Sequence, residues 1–428
     1  MRISYITAGA AGMYCGSCMH DNTLAAALVA KGHDALLIPT YTPIRTDEDD
    51  VSQSRVFFGG INVYLQQKSR LFQKTPWFLD RLLDFPRLLR WVSRFAVKTR
   101  ADQLGDLTIS MLEGTHGNQK KEIQKLVAFL KDEAKPQIVQ FSNVLLSGMV
   151  PAIKQALGVP IVALLQGDDI FLDMLSAKDR TRSLELIREN CKAIDGFIST
   201  SRDYADYMAN YLGIDRRKID VVYPGLKLQG YSVPISRPER PFTIGYFARI
   251  APEKGFHVLV DAYRRFRADA SAPPSRLRVS GWLGENQKVY FKDNMAKLKE
   301  AGVAGEIDHV DSPDHASKVR FLQSVDVLSV PAVFREPKGL YVLEAWANGV
   351  PTVQPRHGSF PELTEASGGG LIVDAENPDA LARGWLELAR DRERALAMGR
   401  RGRDAVEVTF NAPAMAEATL AIYRRFVS

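Results

Sequence analysis

The chain has 428 residues, well beyond one average domain of ~150 residues, so two or three domains are expected. Hydrophobic residues make up 46% and charged residues 25%, which excludes a disordered chain and a collagen-like or coiled-coil fibre. The net charge of +6 is too small an excess, spread over this length, to argue for nucleic acid as a partner, and it is not spread evenly: nine basic and two acidic residues between Lys68 and Arg100 give a local +7.

Residues 3–7 read as a strand running straight into a glycine-bearing loop, an apolar run too short for a signal peptide. A helix is expected at 17–31, strands at 35–39, 137–141, 161–165, 196–200 and 220–223, and a further helix at 147–157. Such alternation implies a parallel sheet with helices on both faces. Residues 63–133 break the pattern and read as a helical insertion. Within it Arg87, Arg90, Arg94 and Lys98 share one helix face, while Leu88, Trp91, Val92 and Phe95 lie largely on another. A basic amphipathic helix suits peripheral contact with an anionic membrane; a helical layer packed on its own domain is the alternative.

The alternation stops at Pro224-Gly225 and resumes at 242–247, with strands at 276–280, 306–310, 326–330, 352–354 and 370–373. The expected fold class is α/β, two doubly wound Rossmann-like domains. Ligands of such sheets bind beyond the carboxyl ends of the strands, which for two facing sheets is the cleft between them. Three cysteines, Cys15, Cys18 and Cys191, make no disulfide framework and fit a reducing compartment. No run approaches the ~18 apolar residues of a spanning helix, so the expectation is a cytoplasmic protein, peripheral at the inner face of the membrane if the basic segment touches lipid. Cys15, Cys18 and His20 are too few for a zinc site, which wants four ligands. His309 and His357 read as structural.

Two segments carry chemistry. The first, Arg335-Glu336-Pro337-Lys338-Gly339-Leu340, follows a strand and opens a helix that contains Glu344. A helix N-terminus offers free N–H groups and partial positive charge to a phosphate. Glu336 and Glu344 are at most roughly 12 Å apart along such a helix, a span over which two acceptors can hold hydroxyls at both ends of a sugar–diphosphate–ribose ligand. A pair of surface glutamates flanking a turn is the alternative. The second segment, Arg249-Ile250-Ala251-Pro252-Glu253-Lys254-Gly255, is again strand, loop and helix. Its arginine and lysine can neutralise a diphosphate and stabilise it as a leaving group, or form a solvated charge pair with Glu253.

In these motifs the chain resembles the retaining glycosyltransferases of family 4, which have the GT-B fold. The E-x7-E pattern (Glu336, Glu344) and the R-x4-K pattern (Arg249, Lys254) occur at the family's spacing and order, and Val221-Val222-Tyr223-Pro224-Gly225, Gly349-Val350-Pro351 and Gly368-Gly369-Gly370 match in kind. The resemblance implies a first domain at 1–226, a linker at 227–240, a nucleotide-sugar-binding domain at 241–410, and a last helix within 411–428 that returns to the first domain. It implies that Arg249 and Lys254 hold the donor's diphosphate, that Glu344 binds the ribose hydroxyls, and that Glu336 faces the transferred sugar, these catalytic residues working without metal or other cofactor. Gly12 and Gly16 of the first loop, with Lys338, Gly339 and Leu340, complete the donor-binding set. The partners implied are a nucleotide diphosphate sugar and a glycan or lipid-linked acceptor, with retention at the transferred hexose.

The chain departs from the pattern twice. Pro337 and Lys338 stand where the family has glycine and an aromatic or similar residue, removing one amide donor and adding a cation. Gln166, followed by Gly167 and Asp168, stands where the family often has histidine; Gln166 and Asp168 are expected on the acceptor or sugar side, but glutamine cannot titrate. A nucleotide-sugar epimerase and a non-catalytic nucleotide-sugar-binding scaffold are the rival readings.

Overall fold

The strands are near-continuous apolar runs, such as Ile161-Val-Ala-Leu-Leu165 with every residue buried, and a strand of this kind needs cover on both faces. The structure, a computed structural model, describes residues 1–9, 16–54, 56–58, 104–234, 240–312 and 314–427. The chain divides into two units, Met1–Tyr223 with Met415–Ser428, and Pro224–Ala414.

In the first unit β1 (Arg2–Ala8), β2 (Asp34–Thr40), β3 (Ile138–Phe141), β4 (Ile161–Leu165), β5 (Gly196–Ser199) and β6 (Ile219–Val221) form a parallel sheet in the order β2-β1-β3-β4-β5-β6. The expected insertion is described only from residue 104. There it forms helices Gly105–Leu112 and Lys120–Phe129, whose Met111, Leu112, Ile123 and Leu126 are part of this unit's core. The basic segment between Lys68 and Arg100 lies outside the described residues, as do Gly12 and Cys15. No described helix is long and apolar enough to cross a membrane.

The second unit repeats the architecture with β7 (Phe242–Phe247), β8 (Ser275–Ser280), β9 (Ile307–His309), β10 (Val327–Leu328), β11 (Thr352–Pro355) and β12 (Gly370–Val373), in the order β12-β11-β10-β7-β8-β9. The chain winds outward from β7 through β8 to β9, then returns to the other side of β7 as β10. Loops leaving β7 and β10 therefore emerge side by side, at the point where the strand order reverses.

β10 is shorter than the expected 326–330. Past it the backbone leaves the sheet and pairs with the neighbouring loop: Val333 N–H donates to Glu253 O at 3.0 Å. Close approach of the two loops depends on Gly255, which sits at φ +69°, where a Cβ would lie 1.7 Å from Pro331 O. Neither the left-handed backbone nor that space admits a side chain. Gly255→Ala is expected to lower stability by at least about 2 kcal/mol, read from urea unfolding midpoints; a loss below half of that would mean that the loops separate at little cost.

Candidate functional site

Lys254 closes the loop after β7, and Glu336 lies in the segment after β10. Their side chains meet: Lys254 Nζ donates to Glu336 Oε2 at 2.6 Å, with Glu336 only 4% exposed. Tyr341 OH donates to the same oxygen at 3.1 Å, and the backbone N–H groups of Lys338 and Gly339 donate to Oε1, each at 3.3 Å. The Lys254 ammonium lies 4.5 Å from the centre of the Phe334 ring and 5.3 Å from that of Tyr341, within cation–π range. From the far side, Ser359 N–H donates to Glu336 O at 2.8 Å. Gly358, at φ +60°, permits this approach, since a Cβ there would lie 2.6 Å from Glu336 O.

Burial opposes ionisation of Glu336. The Lys254 ammonium beside it, the Lys338 charge and the Gly339 amide outweigh burial and hold its carboxyl low, at about 2. A carboxylate held so low is a poor proton acceptor near neutrality. Its chemistry is that of a fixed negative charge and hydrogen-bond acceptor.

The other motif residues spread along the same corner. Arg249 pairs with Glu253 at 3.0 Å and is half-buried. Lys338 is buried, and Gly339 and Leu340 open the helix Leu340–Ala347. Glu344, in the second turn, is buried, and its Oε1 accepts from Lys318 Nζ at 2.7 Å. Sequence reasoning missed Lys318: it stands on the helix His315–Gln323, between motifs and at no recognisable spacing from them. His357 fixes the same region, its Nε2 2.7 Å from Ala332 O.

The residues assigned to the acceptor side lie in the first unit, and both are turned inward. Gln166 Nε2 donates to Asp21 Oδ1 at 3.0 Å and to Ser142 O at 2.8 Å. Asp168 accepts from Val144 N–H at 2.8 Å and from Gln166 N–H at 3.0 Å, and is 2% exposed. The structure thus uses the pair as braces between the loops after β3 and β4. Asp21 is the centre of this cluster, accepting also from Tyr5 OH at 2.5 Å and Thr7 Oγ1 at 2.6 Å, with His20 Nδ1 at 3.3 Å from its Oδ1. Sequence reasoning missed Asp21 as well. Gly16 opens the helix Gly16–Ala30, and Cys18 is buried with its Sγ donating to Ala8 O at 3.4 Å. Among the described residues no group of three His, Cys, Asp or Glu side chains could hold a metal ion.

Comparison with known proteins agrees with the two-unit architecture. Residues 22–225 match the family described as glycosyl transferase 4-like domain, and residues 232–405 that described as glycosyl transferases group 1. A D-inositol 3-phosphate glycosyltransferase of Corynebacterium glutamicum is 31% identical over 49% of this chain and 51% of its own. A putative colanic acid biosynthesis glycosyltransferase, WcaL of Escherichia coli, is 29% identical over 47% of this chain and 49% of its own. The matched stretch is thus about half the length of each curated relative. The crystal structure of Anabaena HepE in complex with UDP superposes with a TM-score of 0.70 at 14% identity, over 99% of this chain and 100% of that one. The two units have the GT-B fold. The chain belongs to the family-4 glycosyltransferases.

The paired charges make two stability predictions. Lys254→Met leaves a buried carboxylate without its cation and is expected to cost about 3–5 kcal/mol in urea unfolding. Glu336→Gln added to it should recover part of that loss; equal destabilisation by single and double variants would deny the pairing. The carboxyl of Glu336 is depressed from its ordinary 4.5 to about 2, so its contribution is present above pH 4.5 and lost as pH falls through 2.

Asp168 has the opposite sign. Burial raises its carboxyl from 3.8 to about 6, despite the amides of Gln166 and Val144. The folded state therefore takes up a proton that the unfolded chain does not hold until pH 3.8, and stability from this group rises as pH falls through 6. Between pH 7.5 and pH 5 the wild type should gain about 1 kcal/mol relative to Asp168→Asn. Parallel pH profiles of the two proteins would contradict it.

Proposed function

We propose that the protein is a retaining hexosyltransferase, moving a hexose from a nucleotide diphosphate sugar to a glycan or lipid-linked acceptor without a metal. The observation that carries this reading is the Lys254–Glu336 pair, built by the two loops at the switch point and set against the N-terminus of the helix Leu340–Ala347. Lys254 and Arg249 are the cations for a diphosphate, and Lys338 adds a third where the helix end already favours negative charge. UDP in the complex with HepE is consistent with such a donor, and the colanic acid biosynthesis named for one curated relative is consistent with a glycan acceptor. The acceptor oxygen forms the new bond to the anomeric carbon as the carbon–oxygen bond to the diphosphate breaks. The acceptor's proton passes to the departing phosphate oxygen on the same face, so no side-chain base is required. Cations near that oxygen stabilise the charge that develops on it. Glu336, ionised at working pH, holds Lys254 in place and sets a fixed negative charge at the sugar's end of the site.

A thermal-shift screen with UDP-, GDP- and ADP-sugars tests the donor. A ligand at 100 times its dissociation constant should add about 2.7 kcal/mol. With the base identified, Arg249→Ala should weaken the nucleoside diphosphate roughly tenfold or more and leave the nucleoside nearly unchanged. Equal losses would remove Arg249 from the diphosphate site. Turnover should survive EDTA and should require acceptor; nucleotide release independent of acceptor would point to the epimerase.

A further inference from the structure

Lys318 belongs to neither motif, yet its side chain is 4% exposed and its ammonium lies 2.7 Å from Glu344 Oε1. Tyr231, from the segment between the last strand of the first unit and β7, points its hydroxyl at the same oxygen, at 3.5 Å. Its ring centre is 5.7 Å from Lys318 Nζ, and the His315 ring meets it edge-on with centroids 4.8 Å apart. Three separate segments thus converge on one carboxylate, in the turn of the helix that follows Glu336.

Tethering two helices does not explain the arrangement. A packed apolar pair would join them equally well, and replacing a buried ion pair by apolar groups is often neutral or stabilising. What the ammonium supplies and an apolar contact does not is a carboxylate kept ionised and in one orientation. A buried carboxyl without a cation would tend to take up a proton, and it would then offer a weaker acceptor to a hydroxyl. An ionised one accepts charge-assisted hydrogen bonds, about twice as strong as neutral ones.

We infer that Lys318, braced by Tyr231, is a positioning residue that sets the Glu344 carboxylate to receive the ribose hydroxyls of a nucleotide. The inference rests on the donor-site reading above, and the experiment separates the two. Calorimetric titration of the full chain compares UDP, GDP and ADP with their 2′-deoxy forms. Wild type should bind the ribonucleotide of its preferred base roughly tenfold or more tightly than the deoxy form. Lys318→Met should bring that ratio close to one while the preference for diphosphate over nucleoside persists. Lys318→Arg should restore most of it, and Tyr231→Phe should lower it about twofold or more. A merely structural lysine would weaken ribo and deoxy forms alike.

No binding of any of the three diphosphates to wild type would overturn the donor-site reading itself. Binding without a ribose preference, or a ratio left intact by Lys318→Met, would overturn this inference and leave that reading standing. If Lys318→Met does not fold, Tyr231→Phe decides, and an unchanged ratio there would overturn it.

Discussion

The buried contact between Lys254 and Glu336 is the constraint around which the second unit's site is organised. Neither charge is tolerable alone at that depth, because an isolated ion in the interior costs several kcal/mol even after relaxation. Bringing them together requires the loop after β7 to touch the segment after β10, and the doubly wound strand order makes those loops neighbours. The glycine at 255 removes the atom that would hold them apart. Tyr341, the two backbone amides and the aromatic faces around the ammonium then occupy the remaining polar directions. Each member of the pair is thereby held by several contacts at once, and in the proposed reading a charge held in advance does more for a developing transition state than one that must reorient.

One short helix and the segment leading into it carry two such glutamates with different partners. Glu336, just before it, is held by a lysine from the loop after β7, and Glu344, inside it, by a lysine from the helix preceding β10. Charge is therefore balanced locally at each end, and the whole corner remains slightly cationic because Lys338 adds a positive charge at the helix N-terminus. In the proposed reading, a diphosphate entering there meets a field that already favours it. In that reading Glu344 keeps its negative charge for hydroxyl groups, while Glu336 holds Lys254. The first unit handles buried charge differently: Asp21 is satisfied by hydroxyl and amide donors, whereas Asp168 remains ionised at neutrality against the cost of burial. Its two amide donors sit on different oxygens, so an uncharged amide side chain could satisfy only one of them.

The sheets were legible because their strands are local signals. Short apolar runs spaced by helical periods mark both series of six, and the structure finds a strand at each of them. Glu336, Lys254 and Glu344 were legible as motif members because their spacing along a strand–loop–helix unit is fixed by geometry. What spacing could not reveal is which opposite charges pair. Arg249 to Glu253 is a contact of four residues' separation, readable from the chain. Lys254 to Glu336 and Lys318 to Glu344 are set by which strands lie side by side and how helices cross them, and neither partner advertises the other. Gln166 also has a contact that spacing does not reveal. Its place after a strand end resembles a ligand-facing position, but the nearby Asp21 carboxylate, far away in sequence, turns its amide inward.

A substitution at a family position therefore has to be interpreted with the charges around it. Glutamine at 166 gives its amide to Asp21 and to Ser142 O, and His20 stands beside Asp21 in the same cluster. Proline and lysine at 337 and 338 act similarly in the second unit. The proline offers no backbone donor, the Lys338 charge helps hold the Glu336 carboxyl low, and the amides of Lys338 and Gly339 reach Glu336. The electrostatic requirement at the helix N-terminus is met by different atoms. Those amides and Lys254 together hold one carboxylate, so a change at 337 or 338 acts on the site through Glu336.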